Sequence, residues 1–295
     1  MAIRYDLGAR DETRDEWVNF ALRQVFSDYG DYVSTHKKSK GLAKFGRTRN
    51  ADADVKTTVA DFQGTVVNET FATTNIIDAA ISTSANDTGI ITVEGHTIDG
   101  SGNLTFVVQD VTLNGQTKVP LATPLARATR AYVKNGTFAS PAVDLQGVVS
   151  IYDDTGGQTA GGVPSVAAAV KCRIRGDLGL SQSEKAATSI SANDYYFIHK
   201  ISCGLNKTSG NTVAAGDFDL EVRQLGGVWR PVGMELILRT DSLPSDTVIF
   251  EPYIIVPPNS DIRLVVTTNT ANTVAAGRFS GVLAIKDDFD YNTVS

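Results

Sequence analysis

Side chains that could carry acid–base or nucleophilic chemistry are few and far apart in this sequence of 295 residues. The three histidines are His36, His96 and His199, and the two cysteines are Cys172 and Cys203. A nucleophile needs a base and an orienting group within hydrogen-bond reach, and zinc ligands recur at short, characteristic spacings. The five residues form no cluster of that kind, so we expect neither a metal site nor a catalytic triad.

Sequence motifs of the common enzyme classes are also missing. The nucleophile elbow G-x-S-x-G, the phosphate loop G-x-x-x-x-G-K-[ST] and the metalloprotease motif H-E-x-x-H do not occur. Asp153 and Asp154 are adjacent, and adjacent residues on a strand point to opposite faces. The run from Asp99 to Asn103 lacks the acidic ligands of a calcium loop and is interpreted as a turn. We therefore expect a protein that is not an enzyme and has no cofactor.

A basic segment gives the strongest charge asymmetry. Residues 37–49 (KKSKGLAKFGRTR) contain six cations and no acid, whereas the whole chain has a net charge of -6. Small residues favour an extended loop there. The segment is either a solvated linker or a strap on an acidic neighbour or on nucleic acid phosphates. Phe45 is its sole aromatic residue, so base stacking has little support and a protein partner is favoured over nucleic acid. The candidate contact residues are Lys37, Lys38, Lys40, Lys44, Arg47 and Arg49.

One amphipathic helix is predicted ahead of this segment, over residues 13–29. Thr13 and Glu16 fit a capping box, and Gly30 supplies a stop. Apolar and aromatic residues recur at helical spacing and form a broad stripe. That stripe packs either on the chain's own β domain or on a neighbouring molecule. Its candidate contact residues are Trp17, Phe20, Phe26 and Tyr29.

From about residue 55 onward, short β-branched runs alternate with clusters of Gly, Asn, Asp, Pro and Ser, which is typical of an all-β chain. In the first region, residues 55–160, Asn114-Gly115 predicts a type I′ hairpin of two turn residues. The Gly-rich run over 153–164 has neither a strand nor a helix pattern, so we place a domain boundary there.

The second region, residues 166–295, alternates more regularly. Val170, Cys172 and Ile174 face one way in their strand, which makes Cys172 a core residue. A second strand places the odd-numbered residues 195 to 203 on one face, and a third, residues 217–223, has a charged face that we expect to be exposed to water. The predicted fold is mainly β: an N-terminal helical arm (1–54) followed by two antiparallel β-sandwich domains of jelly-roll or immunoglobulin-like type.

Apolar runs in the sequence are too short for a membrane span. None approaches the ~20 consecutive apolar residues of a membrane helix, and the first residues lack the apolar region of a signal peptide. We therefore expect a soluble chain that is synthesised in the cytoplasm and has no membrane partner.

Two parts of the sequence carry a resemblance to a known family. ITVEGHTIDGSGNLTFVVQDVTLNGQTKVPL followed by RATRAYVKNG resembles a module of virion structural proteins of tailed bacteriophages, especially marine ones. There an EG-D strand, an ETVTLNGTT-V hairpin and an R-x-x-R-A-x-V strand follow in that order. GGVWRPVGMELILRT and FEPYIIVPPNSDIRLVV are similar to the second, jelly-roll-like part of the same proteins. The resemblance implies a head-associated accessory protein located in the virion.

Helical content separates the roles within such a particle. A major capsid protein needs a long spine helix, and scaffolding and portal proteins are mainly helical, so these roles are disfavoured. A cement or decoration protein is favoured, bound as a homo-oligomer to the major capsid protein or to other virion proteins, because a basic arm suits stapling to neighbouring subunits. A neck or tail component and a receptor-binding knob remain alternatives. The knob would show exposed aromatic residues for sugar stacking, whereas Trp17 and Trp229 are predicted in a helix stripe and a strand.

Overall fold

The computed structural model describes residues 39–62, 64, 68–134, 145–207, 213–233 and 235–285. These residues form mainly β structure in several antiparallel sheets, with three short 3₁₀ turns. No helix in these ranges is long and apolar enough to cross a membrane. The predicted helix over 13–29 lies outside the described residues.

Strands follow one another along almost the whole described chain. In chain order they are β1 (Ser39–Ala51), β2 (Thr57–Thr58), β3 (Ile77–Ser82), β4 (Ile90–Ile98), β5 (Leu104–Thr112), β6 (Val119–Leu125), β7 (Arg127–Val133), β8 (Val148–Tyr152), β9 (Gln158–Thr159), β10 (Val163–Pro164), β11 (Val170–Arg175), β12 (Ala187–Ile190), β13 (Asp194–Lys207), β14 (Ala215–Gln224), β15 (Arg230–Pro231), β16 (Leu236–Arg239), β17 (Ser245–Val256), β18 (Ser260–Thr268) and β19 (Thr273–Ile285).

Strand pairing groups these strands into two units. The central unit contains β3 to β11, with a sheet of order β11-β8-β3-β6, a sheet of order β5-β4-β7 and the small β9-β10 ribbon. The terminal unit contains β1, β2 and β12 to β19. One of its sheets has the order β1-β19-β13-β17, and the other has the order β12-β18-β14-β15, with β2 joined to β18 and β16 joined to β14. Because β1 and β2 precede the central unit, the terminal unit combines strands from both ends of the described chain.

Each unit has an apolar core to which both of its large sheets contribute. Ile91 of β4 and Ile151 of β8 lie in the central core, and Leu264 of β18 and Phe279 of β19 lie in the terminal core. All four are fully buried, and burial of one such side chain contributes about 1.5–3 kcal/mol. Cys172 lies in the central core as predicted, and burial raises the pKa of its thiol.

The strand Val170–Arg175 corrects the predicted domain boundary. We expected it to open the second domain, but it pairs antiparallel with β8, with Ile174 opposite Val149. The central unit therefore extends beyond the Gly-rich run. The residues of that run form the β9-β10 ribbon and the turns around it. A Gly-rich loop connects two strands of one sheet as easily as it connects two domains, so its composition does not distinguish the two arrangements.

A β-bulge at His199 corrects the face predicted for β13. The register against both neighbouring strands shifts between Ile198 and Lys200, so one extra residue interrupts the alternation. Ile198 before the bulge and Ile201 after it both face the terminal core, whereas Phe197 packs in a separate cluster. The prediction that the odd-numbered residues of this strand share one face is therefore wrong.

Asn114-Gly115 forms a turn but not the predicted type I′ hairpin. The Thr117 amide donates to the Asn114 carbonyl oxygen at 3.0 Å, and Gly115 has a φ of 55°. A type I′ turn needs positive φ at both central residues, and Asn114 does not adopt it. The flanking strands enter different sheets, since β5 pairs with β4 and β6 pairs with β3. The turn motif determines a local reversal of the chain, not the partner of each strand.

Candidate functional site

The basic segment is a strand, not the loop that the sequence predicts. From Ser39 onward its residues belong to β1, which pairs antiparallel with β19 from end to end. One of the small residues that suggested a loop, Gly46, serves close packing instead. A Cβ atom on Gly46 would lie 2.0 Å from the carbonyl oxygen of Val59, so no larger residue fits there. Lys37 and Lys38 lie outside the described residues.

Acidic residues of the chain itself lie beside three of the four described cations of this segment. The Lys44 Nζ atom is 3.9 Å from Glu94 Oε2. Arg47 and Arg49 both approach Glu184, with N···O distances of 3.7 and 2.6 Å. The segment therefore does lie on acidic side chains, but they are its own. The Arg47 side chain remains 42% exposed, and ion pairs this exposed contribute about 0–1 kcal/mol.

Lys44 differs from the other cations because it is buried, with 5% of its surface exposed. Burial lowers its pKa to about 8; Glu94 opposes this change only in part, and Arg130 adds to it. The 3.9 Å contact with Glu94 is too long for a hydrogen bond, and no hydrogen bond within the described ranges reaches the ammonium. Burial of a charge without hydrogen bonds is unfavourable, so Lys44 opposes folding unless another group binds it.

Lys44 lines a cavity of about 270 Å³ between the two units, here called the junction cavity. Residues of β1, β12 and β13 line it from the terminal unit, and residues of β4, β5 and β7 line it from the central unit. Lys40 and Phe106 are exposed and lie at its mouth, with the Lys40 Nζ atom 4.7 Å from the ring centre. Lys44 and His96 are buried and form its floor.

His96 lines the junction cavity and has a buried, unpaired polar atom. Its side chain is buried, and its Nδ1 atom has no hydrogen-bond partner among the described residues. Burial lowers its pKa to about 3, and the positive charges of Lys44 and Arg127 contribute to this change. The imidazole is therefore neutral at pH 7, with one nitrogen that donates and one that accepts. The cavity wall thus presents the Lys44 ammonium, and the unpaired His96 nitrogen is enclosed in the wall of the same cavity.

Two residues of this site have a signal in the sequence, although the predicted contact set does not include them. Ile91 and Val93 of β4 face the central core, whereas Glu94 and His96 line the junction cavity. Residues two apart on a strand share a face, so the pair Glu94 and His96 could have been recognised as two titratable groups on one surface. The approach of Lys44 from the distant strand β1 has no local signal.

A second charged cluster joins the two units. Arg127 of the central unit donates to both carboxylate oxygens of Asp261, with distances of 2.8 and 3.1 Å. Arg223 and the Ser189 hydroxyl donate to the same carboxylate from the terminal unit, at 3.1 and 2.6 Å. Arg127 and Asp261 are fully buried. This cluster holds the two walls of the junction cavity at a fixed position relative to each other.

The charged face of β14, predicted to be exposed, is covered at Glu221. Glu221 is buried and accepts hydrogen bonds from Arg263 and Lys56, each at 2.8 Å. The Trp229 ring lies over this region, 4.2 Å from the Arg263 guanidinium and 4.6 Å from that of Arg223. The prediction is wrong at Glu221 because Lys56 and Trp229 cover that part of the sheet.

The structure brings together only part of the predicted contact set. Lys40 and Lys44 meet at the junction cavity, and Arg47 and Arg49 meet at Glu184. The remaining candidates lie outside the described residues, and their contact role stays a prediction: Trp17, Phe20, Phe26, Tyr29, Lys37 and Lys38.

Comparison with known proteins gives little further information. No protein-family model and no curated protein matches the chain. Among solved structures, the T13 viral particle of infectious bursal disease virus is similar at 12% identity over 70% of this chain and 68% of that chain, with a TM-score of 0.21. The Gt strain of the same virus matches at 11% identity over 85% and 74%, with a TM-score of 0.22. Its VP2 subviral particle matches at 10% identity over 86% and 74%, with a TM-score of 0.21. Superpositions with TM-scores this low do not establish a shared fold.

Proposed function

We propose that this protein is a non-enzymatic virion structural protein of a tailed bacteriophage, which binds the head as a cement or decoration protein and stabilises it. The resemblance of its ITVEGH and PPNSDIR regions to such proteins supports the proposal. In this proposal the two units are antiparallel β-sandwiches of jelly-roll or immunoglobulin-like type. The partners are the major capsid protein or other virion proteins, and several copies act together as a homo-oligomer.

The observation that carries the proposal is the way the segment after residue 38 is fixed to the rest of the chain. β1 pairs with β19 along its length, and its Arg47 and Arg49 approach Glu184. A segment that binds a neighbouring subunit transmits any pull to the residues that follow it. In this proposal residues 1–38 form an arm, and its continuation into the paired strand β1 suits a protein that holds a shell together.

Deletion of residues 1–38 tests this role of the arm. The shortened protein keeps β1, so it should keep the β-type circular dichroism signal, lose the signal of the predicted helix and unfold cooperatively. Without the predicted arm it should no longer bind purified capsids that lack the protein. A matched deletion of residues 1–51 also removes β1, and we expect it to lose stability because the edge of β19 is then uncovered. Binding of the shorter deletion at full occupancy would show that attachment lies in the two units.

A particle assay distinguishes the cement role from its alternatives. Particles without the protein should assemble with normal geometry, adsorb to cells normally and release DNA at a lower temperature than complete particles. Normal heat stability with failed adsorption would favour a receptor-binding knob, and loss of tails would favour a neck or tail component.

A receptor-binding knob is the second candidate because of two exposed side chains on β5, of which Phe106 lines the junction cavity. Phe106 and Val108 are 38% and 54% exposed and lie two residues apart on β5, so they share a face. An exposed aromatic ring next to polar groups is a surface on which a sugar ring can stack.

A further inference from the structure

The junction cavity has the features of a binding site, and its use goes beyond the proposed structural role. We propose that it binds a small hydroxylated carboxylate, about the size of one sugar acid, with the carboxylate on Lys44 and the ring against Phe106.

The first observation is the Lys44 ammonium, which lines the cavity and has three N–H donors. Lys44 is 5% exposed, and its nearest acid, Glu94, is 3.9 Å away, which is too long for a hydrogen bond. Buried charged groups in proteins nearly always have hydrogen-bond partners, so a buried ammonium on a cavity wall indicates a ligand that accepts from it.

The charges around the cavity indicate a ligand with one negative charge. Three cations line it, Lys40, Lys44 and Arg130, together with two acids, Glu94 and Asp194. A single carboxylate neutralises the surplus of one positive charge. A phosphate would bring up to two negative charges close to both acids, which Coulomb repulsion disfavours.

The remaining surfaces indicate a ligand that has hydroxyl groups and an apolar face. Thr188, Ser191 and Asp194 offer hydroxyl and carboxylate oxygens along one side, and the Phe106 ring lies at the mouth. Sites for drug-sized ligands have volumes of about 300–1,000 Å³, and the junction cavity, at about 270 Å³, lies below that range. A single sugar ring with a carboxylate meets these requirements.

Lys44 distinguishes a binding role from a structural role, because its burial opposes folding when the cavity is empty. Replacement by an uncharged side chain of similar length should therefore leave the fold intact and raise its stability, while ligand binding is lost. A lysine that serves the fold alone would behave in the opposite way. Stability given up at a functional site is a common trade-off in proteins.

The test is isothermal titration calorimetry on the full-length protein, with D-glucuronate and D-galacturonate as probes. Glucose provides the ring without the carboxylate, and acetate provides the carboxylate without the ring. At least one uronate should bind, and glucose and acetate should bind at least tenfold more weakly. Lys44→Met should weaken uronate binding at least tenfold and melt at an equal or higher temperature without ligand. The matched control is Arg47→Met, on the same strand and 42% exposed at its side chain, which should bind as the unchanged protein does.

Three results would overturn the proposal: no uronate binding by the folded protein, unchanged uronate binding by Lys44→Met, or a lower melting temperature of Lys44→Met without ligand. A fourth measurement identifies the source of the ligand. Tighter binding of an acidic oligosaccharide than of its monomer indicates the end residue of a polysaccharide. Tighter binding of the monomer indicates a free sugar acid.

Discussion

The two apolar cores and the charged junction between the units hold the molecule together in different ways. In the cores, side chains such as Leu264 and Ile151 are buried by packing that has no preferred direction. At the junction, one buried carboxylate, that of Asp261, accepts hydrogen bonds from three side chains at fixed distances. The cost of a change in the core depends on the volume that is lost. At the junction, removal of one partner leaves a buried charge without compensation.

Asp261→Asn should have the largest effect on stability. It removes the negative charge that compensates buried Arg127 and also Arg223, and loss of one partner of a buried ion pair costs about 3–5 kcal/mol. Urea unfolding followed by circular dichroism measures the change in free energy of unfolding. Asp219→Asn is the matched control, because Asp219 is 3.5 Å from exposed Lys56, and we expect about 0–1 kcal/mol there. Equal stability of the two variants would mean that the junction does not hold the units together.

Leu264→Ala should have the next largest effect, about 2–5 kcal/mol, because Leu264 is fully buried in the terminal core. Leu264→Met keeps the volume and should cost less than about 1.5 kcal/mol. Asp261→Glu, by contrast, should not restore the junction, because its longer side chain cannot keep all three hydrogen bonds. If the conservative change is tolerated equally well at both positions, the contrast between core and junction does not hold.

Acid should lower the free energy of unfolding through His96, which lies beside the junction cavity. Its pKa in the folded protein, about 3, lies below its ordinary value of 6.5, so the unfolded chain binds more protons between these pH values. Stability therefore falls as the pH decreases below 6.5, by about 3 kcal/mol at pH 4, at 1.36 kcal/mol per pH unit. His96→Leu should remove this part of the pH dependence in urea titrations at several pH values. His199→Leu, at the bulge of β13, is the control and should retain it.

Arg47→Gln should have the smallest effect, about 0–1 kcal/mol, because its contact with Glu184 is 3.7 Å long and half exposed. The difference from the unchanged protein should shrink further at 1 M salt, where exposed charges are screened within about 3 Å. A loss of stability as large as that of Asp261→Asn would mean that Arg47 is coupled to the charged cluster around Asp261.

Strand alternation predicted the cores well, because it reports which face of a strand is buried. It placed Cys172 in a core, and the residues of β14 that alternate with its charged ones, Phe218 and Leu220, are buried as well. The turn from Asp99 to Asn103 is confirmed too, with the Asp99 carboxylate accepting from the backbone amides of both Ser101 and Asn103. These features depend on residues that are close in sequence.

The junction could not be predicted in the same way. A charged residue on one face of a strand has the same sequence pattern whether it faces water or an opposite charge on a distant strand. The pattern therefore predicts a solvated face at Glu221 and a linker or a partner-binding strap at Lys44, although both side chains are buried within the chain itself. The bulge at His199 escaped prediction for a related reason, since the register of β13 is set by β17 and β19.

The pairing of β1 with β19 has a consequence for synthesis of the chain. About 220 residues separate the two strands, so at about 5–20 residues per second β1 leaves the ribosome roughly 10–40 s before its partner is made. The strands of the central unit are contiguous in sequence, and that unit can fold during the wait. Meanwhile β1 is an unpaired strand that another nascent chain could capture. Lysine and arginine on unpaired strands oppose such aggregation. The basic segment therefore protects the nascent chain until β19 is made and pairs with β1.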